Sequence, residues 1–168
     1  MSKVKKSLKV KLILLTVVAA ISIYISIAPK ELHSSTVNEV SFKSCVDGDT
    51  AKFTIDGEQQ TVRFLAIDTP ETVKPNTPVQ PFGKEASEYT CSSLKSAKSI
   101  RLEYEDSNGT DKYGRKLAWV FIDDSLLQQD LVTKGFAKVA YLYGDYKYTN
   151  DLLDAERTAK DSKVGIWK

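Results

Sequence analysis

A small β-barrel with helical buttresses is the fold that the order of elements predicts, and three observations carry the prediction. Two alternating runs flank an Asp-Gly pair, one run is apolar on both faces, and three stretches repeat apolar residues at helical spacing or carry helix start and stop signals. Three strands, a helix, two strands and two helices match a five-stranded Greek-key barrel of the OB type, mainly β with three helices.

The elements follow in order. Residues 49–55 alternate, with Asp49, Ala51, Phe53 and Ile55 on one face and Thr50, Lys52 and Thr54 on the other. Asp56-Gly57 is a hairpin turn signal. Residues 61–67 return with Val62, Phe64 and Ala66 on one face and Arg63, Leu65 and Ile67 on the other, which completes a three-stranded meander. Residues 72–81 hold Pro75, Pro78 and Pro81 and read as a loop. Phe82, Ala86, Tyr89 and Ala97 give a helix over about 82–97. Residues 100–105 alternate as a fourth strand, and 117–122 suit a buried fifth. Ser125 is read as the cap of a helix reaching about Lys134, with Gly135 as its stop. A last helix spans about 150–163, its early acids and late lysines matching the helix dipole, and Gly165 closes it.

The 168 residues suffice for one domain, read over 38–168 behind a polar linker at 29–37 and an apolar leader at 1–28. Residues 12–28 carry no charge and follow Lys3, Lys5, Lys6, Lys9 and Lys11. This leader is read either as a secretory signal or as an uncleaved membrane anchor helix; Ser26-Ile27-Ala28 offers small residues for cleavage, but Pro29 follows directly. Both readings place the domain outside the cell. Without those five lysines, residues 29–168 hold 19 basic and 22 acidic residues, a net of −3. A broad basic surface for non-specific nucleic-acid binding is therefore absent, and a polyanion would have to be held by a local site. Cys45 and Cys91 show no metal-ligand spacing; pairing and two free thiols both remain open.

The single histidine, His33, lies in the linker. That excludes a histidine pair, a Ser-His-Asp triad and a His-rich zinc site, and no phosphate-binding glycine loop is present. The chemistry left rests on carboxylates, arginines, tyrosines and a metal. Asp47-Gly48-Asp49-Thr50 taken alone is a turn, but Asp49 opens the inward face of its strand, where a bare carboxylate is costly. Asp68-Thr69-Pro70-Glu71 follows the strand that pairs with it, so Asp49 and Asp68 converge at one end of the barrel. Two carboxylates with carbonyl and water oxygens suit calcium or magnesium and not zinc. Arg63 by itself reads equally as an exposed salt-bridging arginine, and Arg115 as part of a polar turn, Asp111-Lys112-Tyr113-Gly114-Arg115; two arginines near a metal could hold a phosphodiester and stabilise its transition state.

Taken in order and spacing, these motifs, with Ala-Lys-Val-Ala-Tyr at 137–141, resemble the staphylococcal nuclease family over residues 40–167. The resemblance implies calcium bound by Asp49, Asp68 and the Thr69 carbonyl, with Asp47 in support. It implies Glu71 as general base, Arg63 and Arg115 on the phosphate, and Lys112, Tyr113 and Tyr141 on the nucleotide. The implied activity cuts DNA and RNA, as single strands or frayed duplex, with little sequence preference and leaves 3′-phosphate ends. The proline-rich loop 72–81 and the two cysteines depart from the family pattern. A monomer is expected, and no protein partner is indicated. The main rival is an OB-type module that binds nucleic acid without cutting it, and a calcium-dependent surface adhesion protein is a second. Inactive modules of this kind lose the acids or the arginines, whereas Asp49, Asp68, Glu71, Arg63 and Arg115 are all present.

Overall fold

A hairpin built on alternating residues sets the frame. The structure, a computed structural model, describes residues 37–72, 78–105 and 109–168; the leader and nearly all of the linker lie outside them. Strands β1 (Val37–Glu39), β2 (Ser41–Cys45), β3 (Thr50–Ile55), β4 (Glu58–Phe64) and β5 (Ile67–Asp68) precede helix α1 (Gly83–Ser96). Strands β6 (Ile100–Glu103), β7 (Lys116–Ile122) and β8 (Ser125–Leu126), helix α2 (Leu127–Thr133), strand β9 (Lys138–Val139) and helix α3 (Thr149–Asp161) complete the order, with a final 3₁₀ turn at Gly165–Trp167.

Strands run β1-β6-β7-β4-β3-β2 across the sheet, and β4 pairs with β7 in parallel while the other neighbours along it are antiparallel. The two end strands of this path are consecutive in the chain. Only Val40 separates them, and its N–H donates to the Ile100 carbonyl at 3.1 Å. A sheet whose first and last strands share one connecting residue must curl upon itself, and this one forms a curled half-barrel that fits the OB type. Its interior is filled by Phe53, Val62, Phe64, Leu102 and Trp119, while Leu94, Leu127, Leu131 and Leu152 seal it from the helices. Gln128 is wholly buried but satisfied: its amide accepts from Val120 N–H at 3.1 Å and donates to the Ala118 carbonyl at 3.0 Å.

The helices fall within a residue or two of their expected bounds. One strand reading and one helix-cap reading need correction. The run 61–67 is not one strand: β4 ends at Phe64, Ala66 turns with φ +61°, and β5 then pairs with β9. All six residues 62–67 are buried, which a half-exposed strand of period two does not produce. Ser125 does not cap a helix; it pairs with Ile122 in a β7–β8 hairpin turned at Asp123, and Leu126 precedes α2 without a side-chain cap. Gly135 does stop that helix, at φ +66°, with Phe136 N–H returning to the Leu131 carbonyl at 2.9 Å.

Cys45 and Cys91 form a disulfide, Cα to Cα 5.6 Å, joining β2 to α1. One residue earlier on that helix, the buried Thr90 hydroxyl donates to the Gly48 carbonyl at 2.6 Å. The acidic turn after β2 is thus fastened to α1 at two adjacent helix positions.

Candidate active site

The turn at Asp47 delivers Asp49 to the start of β3, beside the end of β4, where Thr50 pairs with Arg63. Phe64 N–H donates to the Asp49 carbonyl at 2.8 Å, so the register between these strands is fixed at the site itself. Gly48 is required by space: a Cβ there would lie 2.7 Å from Thr69 Oγ1.

Arg63 is the centre of the arrangement. Its Nη1 donates to the Phe64 carbonyl at 2.7 Å and its Nη2 to the Ile67 carbonyl at 2.8 Å. The same Nη2 lies 3.0 Å from Asp49 Oδ2 and 3.6 Å from Asp68 Oδ1. The β4–β5 turn therefore wraps the guanidinium and brings Asp68 to the same cation as Asp49. Asp49 is buried, and its charge is compensated: Thr50 Oγ1 donates to Oδ1 at 3.1 Å, and Thr69 N–H and Oγ1 donate to Oδ2 at 2.9 and 3.1 Å. Asp47 accepts from Asp49 N–H at 3.1 Å; burial, then the charge of Asp49, push its carboxyl up to about 6.

Asp47, Asp49, Arg63, Asp68 and Thr69 thus form one cluster. Among the described residues no three His, Cys, Asp or Glu side chains gather closely enough to hold a metal unaided. The donor set at Asp47, Asp49 and Asp68 is oxygen only, and these three carboxyl groups face two cations, Arg63 and Lys138. That chemistry fits a hard cation whose remaining ligands are carbonyls and waters.

Arg115 joins from the turn before β7. Asp111 accepts from Tyr113 N–H at 2.9 Å, Arg115 N–H at 3.0 Å and Arg115 Nε at 2.7 Å, with Gly114 at φ +78°. Desolvation alone raises the Asp111 carboxyl, but these hydrogen bonds and the Arg115 charge outweigh it and hold it below its ordinary value. The motif forms the turn that its residues suggest. Arg63, Lys112, Tyr113, Arg115 and Tyr141 line one cavity of about 580 Å³. The Lys112 ammonium stands 5.0 Å and the Arg115 guanidinium 5.4 Å from the Tyr113 ring centroid, while Arg63 stands 5.5 Å from that of Tyr141. Glu71 follows Thr69 and Pro70 from the acidic cluster; its Oε1 accepts from Thr72 N–H at 3.0 Å.

Three contributors were not singled out from sequence. Lys138 sits opposite Asp68 in the β5–β9 pair and places Nζ 3.2 Å from Asp68 Oδ2. Gln80 clasps Glu71: its Oε1 accepts from Glu71 N–H at 3.0 Å, and its own N–H donates to the Glu71 carbonyl at 2.9 Å. Tyr143 extends the exposed aromatic wall of the cavity, its ring 6.2 Å from that of Tyr141. The motif at 137–141 already contained Lys138, and Tyr143 lies two residues beyond Tyr141; Gln80 left no signal.

An OB-type barrel with an arginine-bridged pair of carboxylates at its rim defines the class of protein. The family described as staphylococcal nuclease homologue matches residues 61–168. The chain is 42% identical over 140 residues to a thermonuclease of Staphylococcus hyicus, covering 82% of each protein. It is 39% identical over 142 residues to a thermonuclease of Staphylococcus intermedius, covering 83% of each. It is also 44% identical over 130 residues to the SPbeta prophage-derived endonuclease YokF of Bacillus subtilis, covering 77% of this chain and 44% of that protein. The chain belongs to the staphylococcal nuclease family.

Proposed function

We propose that this chain is a calcium-dependent endonuclease that hydrolyses DNA and RNA, with little sequence preference, to 3′-phosphate-ended products. The observation that carries the reading is Arg63 Nη2 held between Asp49 and Asp68, at 3.0 and 3.6 Å, at the edge of a cavity that also presents Arg115.

Asp49, Asp68 and the Thr69 carbonyl would hold the calcium ion, and Asp47 would support Asp49 through the hydrogen bond at its N–H. Charge neutralisation at the phosphate is what calcium contributes there. Glu71 orients the attacking water and takes its proton on a carboxylate oxygen. Arg63 and Arg115 hold the non-bridging phosphate oxygens and stabilise the charge that builds up in the transition state. Lys112, Tyr113 and Tyr141 offer a cation and exposed ring faces, which favour a base and sugar-phosphate of any sequence, single-stranded or from a frayed duplex.

The same reading puts the domain outside the cell as a monomer, secreted or anchored through residues 12–28. The Cys45–Cys91 disulfide supports an oxidising location. The test gives the full chain labelled single-stranded DNA with calcium, with magnesium, and with chelator. Cleavage only with calcium, leaving 3′-phosphate ends, is expected, and Glu71→Gln should lose turnover while retaining binding. Chelator-resistant cleavage, or binding without cleavage, would overturn the proposal.

A further inference from the structure

A second cavity, also of about 580 Å³, opens on another side of the acidic cluster from the tyrosine-lined one. The two share no lining residue, yet they meet across the centre: Arg63 borders one, Asp68 the other, and these side chains are 3.6 Å apart. The segment through β9 serves both, with Lys138 in the second cavity and Tyr141, three residues on, in the first. A volume of this size lies within the range of roughly 300–1,000 Å³ for clefts that take small ligands.

Its lining is suited to a nucleotide. Lys138 and Lys168 supply two cations, and Asp68, the only acidic side chain among the described lining residues, is already paired with Lys138 and Arg63. Phe82 supplies a half-buried ring, with Lys168 Nζ 5.6 Å from its centroid. The backbone of Phe82 is unusual: it has φ +65°, a conformation that glycine or asparagine adopts far more easily than a bulky aromatic residue. It stands immediately before α1, makes no side-chain cap, and gives the helix only its carbonyl, which accepts from Ala86 N–H at 3.0 Å. Such strain is retained where a ring is wanted in one place.

Resting on the nuclease reading, we infer that this cavity is a second substrate subsite. It takes the nucleotide on the far side of the scissile phosphate from the one held against Tyr113 and Tyr141. Phe82 stacks on its base, and Lys138 and Lys168 face its sugar-phosphate. The strand thus crosses the acidic centre with one nucleotide seated on each side. A local pair of subsites also accounts for polyanion handling by a domain of net negative charge.

The test compares kcat/KM of the full chain, with calcium, on a thymidine dinucleotide and on the two methyl phosphodiesters in which one or the other thymidine is replaced by methyl. The wild type should prefer the dinucleotide over both esters. Phe82→Ala should reduce the preference over one ester by about tenfold, as expected for loss of one base–aromatic stack, and leave the preference over the other. Lys168→Gln should reduce the same preference by a smaller factor that shrinks as salt is raised. Phe82→Leu keeps apolar bulk without a ring and should behave like Phe82→Ala, which distinguishes a lost stack from a lost fold. An unchanged preference in both Phe82 variants, or a wild type that cuts the dinucleotide and both esters equally, would overturn the subsite while leaving the nuclease reading intact. A wild type that cuts none of these and no longer DNA would remove both.

Discussion

Replacing both cysteines by serine isolates what the disulfide contributes, because the bond closes a loop of 46 residues. In the chain-entropy treatment, closing a loop of that length removes about 13–14 cal/mol/K from the unfolded ensemble, or about 4 kcal/mol at room temperature. Urea unfolding with a slope of about 2 kcal/mol/M would then show the midpoint of C45S/C91S lowered by about 2 M relative to the oxidised wild type. Catalysis should respond differently. The acidic turn keeps its second fastening in the variant, since Thr90 still donates to the Gly48 carbonyl at 2.6 Å. At temperatures well below unfolding, kcat/KM should therefore stay within about threefold of wild type. A midpoint shift below about 0.5 M would refute the loop-closure reasoning, and a large loss of kcat in fully folded variant would show that the turn depends on the covalent bond and not on Thr90.

Arg63→Lys keeps the charge but not the fork that reaches Phe64 O, Ile67 O and Asp49 together, so kcat/KM should fall by about a hundredfold or more in steady-state cleavage; a loss under about threefold would contradict the role given to Arg63. Gln80→Ala removes the acceptor for Glu71 N–H and should lower kcat several-fold with KM little changed, whereas a pure KM effect would count against a positioning role. Asp111 has a depressed carboxyl, so it stabilises the fold fully above its ordinary pKa of about 4, and that stabilisation is lost as pH falls through the lower folded value. Urea midpoints of wild type and Asp111→Asn should accordingly differ at neutral pH and converge in acid; a difference that grew on acidification would reverse the sign argued here.

The first helix was readable because Phe82, Ala86 and Tyr89 recur at helical spacing, and it buries Ala86, Thr90 and Leu94; the last was readable from its early acids, late lysines and Gly165, and it buries Leu152, Ala155 and Ala159. The hairpin of β3 and β4 was readable from the alternation of its residues, and with it the convergence of Asp49 and Asp68, which the structure brings to one guanidinium; that the guanidinium belongs to Arg63 was not. The break between β4 and β5 was not, since Leu65, Ala66 and Ile67 continue an apolar run and nothing in their side chains announces φ +61° at Ala66. Two-residue strands such as β5 and β9 carry no periodicity at all, so Lys138 opposite Asp68 had to wait for the fold. Cysteine pairing was open for a similar reason: Cys45 and Cys91 meet only because α1 packs across the turn after β2. Gln80 lies within the proline-rich stretch 72–81, where chain direction is not written in propensity.

The one-residue seam at Val40 also governs the order in which the barrel can be completed. β1 and β2 leave Val40 for opposite ends of the sheet path; β2 finds its partner in the next hairpin, but β1 has none until β6 has been made. The pairing that closes the barrel therefore joins the earliest described strand to one formed after α1. A chain delivered from its N-terminus must hold β1 unpaired while the meander and α1 assemble, and such non-local closure is slow relative to the local steps. Folding of this domain should end at its beginning.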